Sequence, residues 1–196
     1  MTDPASAEFR RRQLTLLLER HRHEDVILAR VLTEHYQHVA SEAKAGRGEG
    51  ARAQLKMLAE EVPLPDTPEL RGVVELAALP AWALVDFQEG NLDAARQLLL
   101  RALEVAAELA ACYGHDFLTG KRLHLAANVV RIEIADGQQE RAAALLVNLR
   151  AVSLGNRNRW PFVGATTLDV PLSPDVRLVI DSQLGREQDR LMAGRR

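Results

Sequence analysis

Three glycines, each followed five residues later by an alanine, constrain this chain more than any other feature. The segments read Gly48-Glu49-Gly50-Ala51-Arg52-Ala53, Gly90-Asn91-Leu92-Asp93-Ala94-Ala95 and Gly137-Gln138-Gln139-Glu140-Arg141-Ala142, and each falls between two helix-length stretches. Glycine stops a helix because it turns the chain through conformations that a Cβ disfavours. The pattern therefore predicts a helical hairpin used three times. One face of such a hairpin is apolar and only a stacked neighbour can cover it, so the expected object is a short helical array whose surface is its product.

Length and charge are consistent with that object. At 196 residues the chain is long enough to bury a core as one domain, residues 1–196, without disulfides. The formal net charge of −2 and the small share of aromatics disfavour a nucleic-acid partner. Cys112 is the only cysteine, which excludes an internal disulfide and fits a reducing compartment; it is expected to be a buried small apolar residue. Arg10-Arg11-Arg12 is followed by no apolar run long enough for a signal peptide, and charges interrupt every stretch before the roughly 18 to 20 apolar residues of a membrane span. A cytoplasmic protein is expected, and the wealth of arginine, alanine and leucine fits a GC-rich bacterial genome.

Along the chain, apolar spacing predicts helices over 5–22, with Leu14, Leu17 and Leu18, and over 24–45, with Val26, Ile27, Val31, Leu32 and Val39. A shorter helix with the seam Ala51, Leu55, Leu58 and Val62 is stopped by Pro63-Leu64-Pro65-Asp66-Thr67-Pro68. Thr67 as N-cap and Pro68 at the first position open a helix to Glu89, with a kink expected at Pro80. Ala95, Leu99, Ala102, Ala106 and Leu109 form a narrow seam in the helix that breaks near Tyr113-Gly114-His115. Helices from Phe117–Lys121 to Asp136 and from Gly137 to Gly155 follow. Residues 156–172 lack helical periodicity and predict an ordered loop whose Trp160 and Phe162 pack across the end of the array. Ser173-Pro174-Asp175 starts a C-terminal helix over 173–193 carrying Val176, Val179, Ile180 and Leu184, and the tail from Gly194 is expected to fray.

The middle hairpin resembles a tetratricopeptide repeat. Ala83, Gly90, Ala95 and Ala102 stand where that family places small residues at the close crossing of its two helices, and Leu99 where it places a large apolar one. The third hairpin keeps Gly137, Ala142 and Leu146 but has Val130 and Leu149 at the other small positions; the first keeps only Gly48 and Ala53. The turn glycines lie 42 and 47 residues apart, against about 34 in the family, so longer helices are expected. The resemblance covers residues 30–155. It implies an all-α fold, a right-handed superhelical array of about three antiparallel hairpins with an N-terminal helix and a C-terminal capping helix. A plain helical bundle is the alternative.

The resemblance also implies where a partner would bind, since the first helix of each hairpin lines the concave side. Its register selects His124, Ala127, Asn128 and Arg131 in the third hairpin, His35, His38, Val39 and Glu42 in the first, and Ala77, Pro80, Ala81 and Leu84 in the middle. The outer two are polar banks and the middle one an apolar floor near Trp82. Asn128 and Arg131, one turn apart, suit a peptide backbone and a carboxylate, because the side-chain amide donates and accepts while the guanidinium offers a two-pronged fork. Arg131 has Glu133, Asp136 and Glu140 as alternative partners nearby. Joint replacement of both residues by alanine is expected to abolish partner binding and leave helicity unchanged.

Other chemistry has weaker grounds. His35 and His38, three apart with Glu34 and Glu42 close by, form a metal-like spacing that no second helix matches, so no metal is expected. His21 and His23 read as solvated residues at a helix C-terminus. Glu75, Asp86, Glu89 and Asp93 are expected to balance nearby arginines on a solvated face. No phosphate loop or nucleophile elbow occurs, so no catalysis and no cofactor is expected. The function expected is a non-catalytic adaptor binding a protein or peptide segment, with His124, Asn128, Arg131, His35, His38, Glu42 and Leu84 at the site. The alternatives are a small-ligand or metal-sensing regulator with a pocket lined by His35, His38 and His124, and a homodimerisation module.

Overall fold

The structure is a computed structural model that describes residues 4–46, 50–162 and 172–194, with side chains from residue 11 onward except that of residue 157. It is all-helical over these residues. The helices are α1 (Pro4–Leu18), α2 (His23–Lys44), α3 (Ala51–Glu61), α4 (Pro68–Gln88), α5 (Leu92–Tyr113), α6 (Thr119–Ala135), α7 (Gln139–Ser153) and α8 (Pro174–Ala193), with short 3-10 turns at Asp116–Leu118 and Arg157–Arg159. The first glycine of the repeat, Gly48, lies outside the described residues, as do Gly164, the segment Thr166–Val170 and the last two residues of the tail.

Gly90 and Gly137 make the same turn. Both have positive φ, 82° and 74°. At each, the glycine N–H donates to the carbonyl three residues back, Phe87 or Ile134, at 3.2 Å, and the next residue donates to the carbonyl five back, Asp86 or Glu133, at 2.8 Å. These paired bonds satisfy the last carbonyls of α4 and α6 and allow the next helix to start at once. The alanines that complete the motif, Ala95 and Ala142, are fully buried. The first hairpin is built differently. Gly46 closes α2 and Gly50 opens α3, both at positive φ, and Ala51 is the buried residue while Ala53 is exposed. The expected equivalence of Ala53 with Ala95 and Ala142 is thereby corrected: Gly46 and Ala51 hold the positions expected of Gly48 and Ala53.

Two compact units divide the chain, Met1–Leu98 and Leu99–Arg196, with α5 beginning in the first and ending in the second. In the first unit α2 packs on α4, with α3 against both and α1 against α2. Arg20 and His21, just before α2, bond Glu69 in the first turn of α4, while Gln88 at the end of α4 donates to the Ala43 carbonyl at the end of α2. The two long helices therefore run parallel. Arg52 in the first turn of α3 reaches Asp86 and Glu89 at the end of α4, so α3 runs antiparallel to them.

The second unit repeats this topology. Here α6, α7 and α8 pack on one another. Contacts pair Gly120 with Val176, His124 with Gln183 and Arg131 with Glu187, which makes α8 parallel to α6. Ser153 bonds Asp181, and Gln139 lies beside Gly194, which makes α7 antiparallel to α8. The buried faces are Leu123, Leu125, Ala126, Val129, Val130 and Ile132 on α6, Ala142, Leu146, Leu149 and Val152 on α7, and Ile180, Leu184 and Leu191 on α8.

Several expectations about single residues change. Cys112 is exposed, because the buried seam of α5 steps from Leu109 towards Tyr113 and passes Cys112 by one residue. Ile27 and Val31 are exposed; α2 instead buries Val26, Ala29, Leu32, Tyr36, Val39 and Ala43. Val179 is exposed on α8. Thr67 has the extended N-cap backbone but makes no side-chain cap bond, whereas the Ser173 hydroxyl accepts from the Val176 N–H at 3.4 Å. As expected, α4 continues past Pro80.

Candidate partner-binding site

α6 is enclosed on most sides, and its partly solvent-facing strip is Lys121, His124, Asn128 and Arg131. Three of these are the residues selected from sequence. Most of the remaining positions of α6 carry the aliphatic side chains of the core, with Thr119, Arg122 and Glu133 as its buried polar residues, and a helix closed in by neighbours leaves one stripe for hydrophilic groups.

The C-terminal helix already engages that strip. His124 Nδ1 donates to the Gln183 side-chain oxygen at 2.7 Å, and the Gln183 amide nitrogen donates to Asn128 Oδ1 and to the His124 carbonyl, each at 3.4 Å. One turn on, Arg131 donates through Nε and Nη2 to Glu187 Oε1 at 3.1 and 2.7 Å. Arg190 adds a bond to Glu187 Oε2 at 2.6 Å. The Glu187 side chain has no exposure, whereas those of Arg131 and Arg190 keep 31% and 47%. Arg131 thus pairs with a residue 56 positions away, not with Glu133, Asp136 or Glu140. The amide and the carboxylate that Asn128 and Arg131 bond are side chains of α8 in the same chain, not the peptide backbone and carboxylate of a separate partner that were expected there.

This placement alters the expected effect of substitution. Removing Arg131 takes a charge partner from a buried carboxylate, so the Asn128 and Arg131 double replacement acts on the seating of α8 as well as on any external ligand. Gln183 and Glu187 were missed from sequence. Their signal was available, since they share the buried face of α8 with Ile180, Leu184 and Leu191.

The remaining selected residues lie in the first unit. His35 and His38 are exposed on α2, and the His35 Nδ1–H donates to the Val31 carbonyl at 2.8 Å. Neither lines an enclosed pocket. Glu42 on α2 and Leu84 on α4 are half-buried, as are Ala77, Pro80 and Trp82, while Ala81 is buried. Among the described residues no three His, Cys, Asp or Glu side chains gather to hold a metal ion, and no helix is long and apolar enough to cross a membrane.

Set against protein families, curated proteins and solved structures, the chain finds no significant match. The site must be read from its own geometry.

Three further polar clusters were only partly legible. Arg52 forks onto Glu89 at 2.9 and 2.6 Å, also bonds Asp86, and lies 5.8 Å from the Trp82 ring centroid. Hydrogen bonds to Glu89 and then Asp86 hold its guanidinium above the usual arginine range. Asp93 pairs with Arg96, so Asp86, Glu89 and Asp93 each balance an arginine as expected, although Asp86 is buried rather than on a solvated face. Glu69, buried on α4, accepts from His21 Nε2 at 2.8 Å and Arg20 Nη1 at 3.1 Å, so His21 is a bonded, largely buried residue while His23 is exposed and begins α2. At the start of α6, Arg122 is buried with its guanidinium 5.1 Å from the Trp160 centroid, and Trp160 meets Phe162 edge-on at 5.4 Å. Burial pushes the Arg122 guanidinium down to about 10, which leaves it charged at neutral pH.

Proposed function

We propose that the chain is a non-catalytic adaptor, built of tandem helical hairpins, that binds a segment of another protein. One observation carries this reading: the polar strip of α6 holds an amide and a carboxylate presented by a helix, through Asn128 and Arg131. A binding face needs a few well-placed polar groups on an otherwise apolar support, and this strip has that form.

The topology supports the same reading. Each unit sets two long parallel helices side by side with a shorter antiparallel one, and successive first helices of a right-handed tetratricopeptide-like array have that relation. Under this assignment α8 occupies the place of a further first helix and acts as the cap that a helical array requires. In the first unit, His35, His38 and Glu42 on α2 and Leu84 on α4 are the residues proposed to meet a partner.

The test is selection of displayed peptides against the full chain, repeated with Arg131→Glu. Enrichment of sequences carrying a carboxylate and a side-chain amide on wild type, lost on Arg131→Glu, is the expected outcome. Failure to enrich any sequence over the starting library would overturn the adaptor reading.

A further inference from the structure

We infer that the face formed by α6 and α7 is a receptor for one exchangeable amphipathic helix, and that α8 is its resident occupant. The inference rests on the adaptor reading and names the partner: a helix with aliphatic residues at i, i+4 and i+11, glutamine at i+3 and glutamate at i+7. That is the pattern of Ile180, Leu184, Leu191, Gln183 and Glu187.

Three observations set α8 apart from an ordinary core helix. Two of its five buried positions are polar, and their bonds are made to the polar strip of α6 rather than within α8, apart from the link to Arg190. The pair fixes where α8 sits more than how firmly, because undocking returns the wholly buried Glu187 carboxylate to water and so offsets much of what its pairing contributes. The helix also carries Gly185 in its interior, where a Cβ would meet nothing within 4 Å and where the backbone does not need glycine. An interior glycine with no packing reason weakens the helix it sits in. Finally, the complementarity is directional: α6 offers imidazole N–H, amide oxygen and guanidinium in the order that Gln183 and Glu187 require. Those are the features of a seat that reads one helix pattern.

The experiment uses the full chain with its own α8 unseated by Ile180→Asp and Leu184→Asp, and a labelled synthetic peptide spanning residues 173–194 of the wild-type sequence. The unseated chain should bind the peptide, and intact chain at least about tenfold more weakly, because the resident helix lowers the fraction of open sites. Arg131→Glu in the unseated chain should abolish binding, and a peptide carrying Glu187→Arg should recover part of it. In wild-type chain, amide hydrogen exchange should be faster along α8 than along α6 and α7. Equal protection of the three helices would overturn the proposal. So would loss of α6 and α7 protection in the unseated chain, which would make α8 part of the core, or a folded unseated chain that ignores the peptide. If that peptide fails while displayed peptides still bind wild type, the exchange of α8 falls and the adaptor reading stands.

Discussion

Glu187 shows how much depends on which partner of a buried pair is removed. Its carboxylate is wholly enclosed, while Arg131 and Arg190 both reach water. Replacing Glu187 by glutamine leaves two cations that solvent can satisfy and an amide that still accepts. Replacing Arg131 by alanine leaves the carboxylate buried beside Arg190, and buried charges tolerate such loss poorly. Arg131→Ala should therefore destabilise the second unit by about 2 to 3 kcal/mol and Glu187→Gln by about 1 kcal/mol. Urea denaturation followed by circular dichroism measures both, and a larger loss for Glu187→Gln would contradict the asymmetry. Asn128→Ala removes one acceptor, at 3.4 Å from Gln183, and should cost less than Arg131→Ala in the same measurement. The polar strip of α6 was legible because polar groups at helical spacing stand out on a largely apolar helix. Glu187 shares a helix face with Ile180, Leu184 and Leu191, but nothing local ties it to Arg131, because pairing over 56 positions depends on how α8 folds back.

Helix boundaries were the most legible part of the molecule, for reasons that differ from one helix to the next. α4 and α8 open where a cap residue and a first-turn proline coincide, and α4 and α6 close where a glycine can adopt positive φ. Faces were harder. The apolar residues of α2 and α8 exceed what their neighbours cover, so Ile27, Val31 and Val179 stay outside although their spacing suggested a core seam. Two other glycines have opposite roles that no sequence rule separates. On Gly120 a Cβ would stand 2.7 Å from Val176 Cγ1, a branched side chain of α8 with little room to yield, whereas on Gly185 it would meet open space. Gly120→Ala should cost about 1 to 3 kcal/mol through overpacking of α6 against α8. Gly185→Ala should stabilise the chain by about 0.5 to 1 kcal/mol through helix propensity. Thermal or urea unfolding of the two variants beside wild type gives both signs, and a destabilising Gly185→Ala would show that α8 needs its glycine.

Repetition is visible in the molecule as a whole, but it does not follow the three glycines evenly. The turns at Gly90 and Gly137 share a hydrogen-bond scheme, Gly46 after α2 makes the first of its bonds, to the Ala43 carbonyl at 3.1 Å, and the common unit is the set of three helices rather than the glycine motif. The motif marks where helices reverse, which depends on a few backbone bonds. The pairing of first helices depends on side chains far apart in sequence, such as Gln88 with Ala43 and Arg131 with Glu187, and these spacings carry no local signature. Because each unit has its own buried core, the chain should respond to damage locally, as repeat proteins do when stability is a sum of neighbouring terms. Leu55 in the first unit and Leu149 in the second are both fully buried, and truncating either to alanine should cost about 2 to 5 kcal/mol. Leu149→Ala should raise amide exchange along α6, α7 and α8 by at least about tenfold while α2 and α4 change by less than about twofold, since sub-global opening is confined to the damaged unit. Leu55→Ala should reverse the pattern. If either substitution raises exchange equally in both sets of helices, the chain opens as one cooperative body, and a partner held at α6 would then stabilise α2 and α4 as strongly as its own unit.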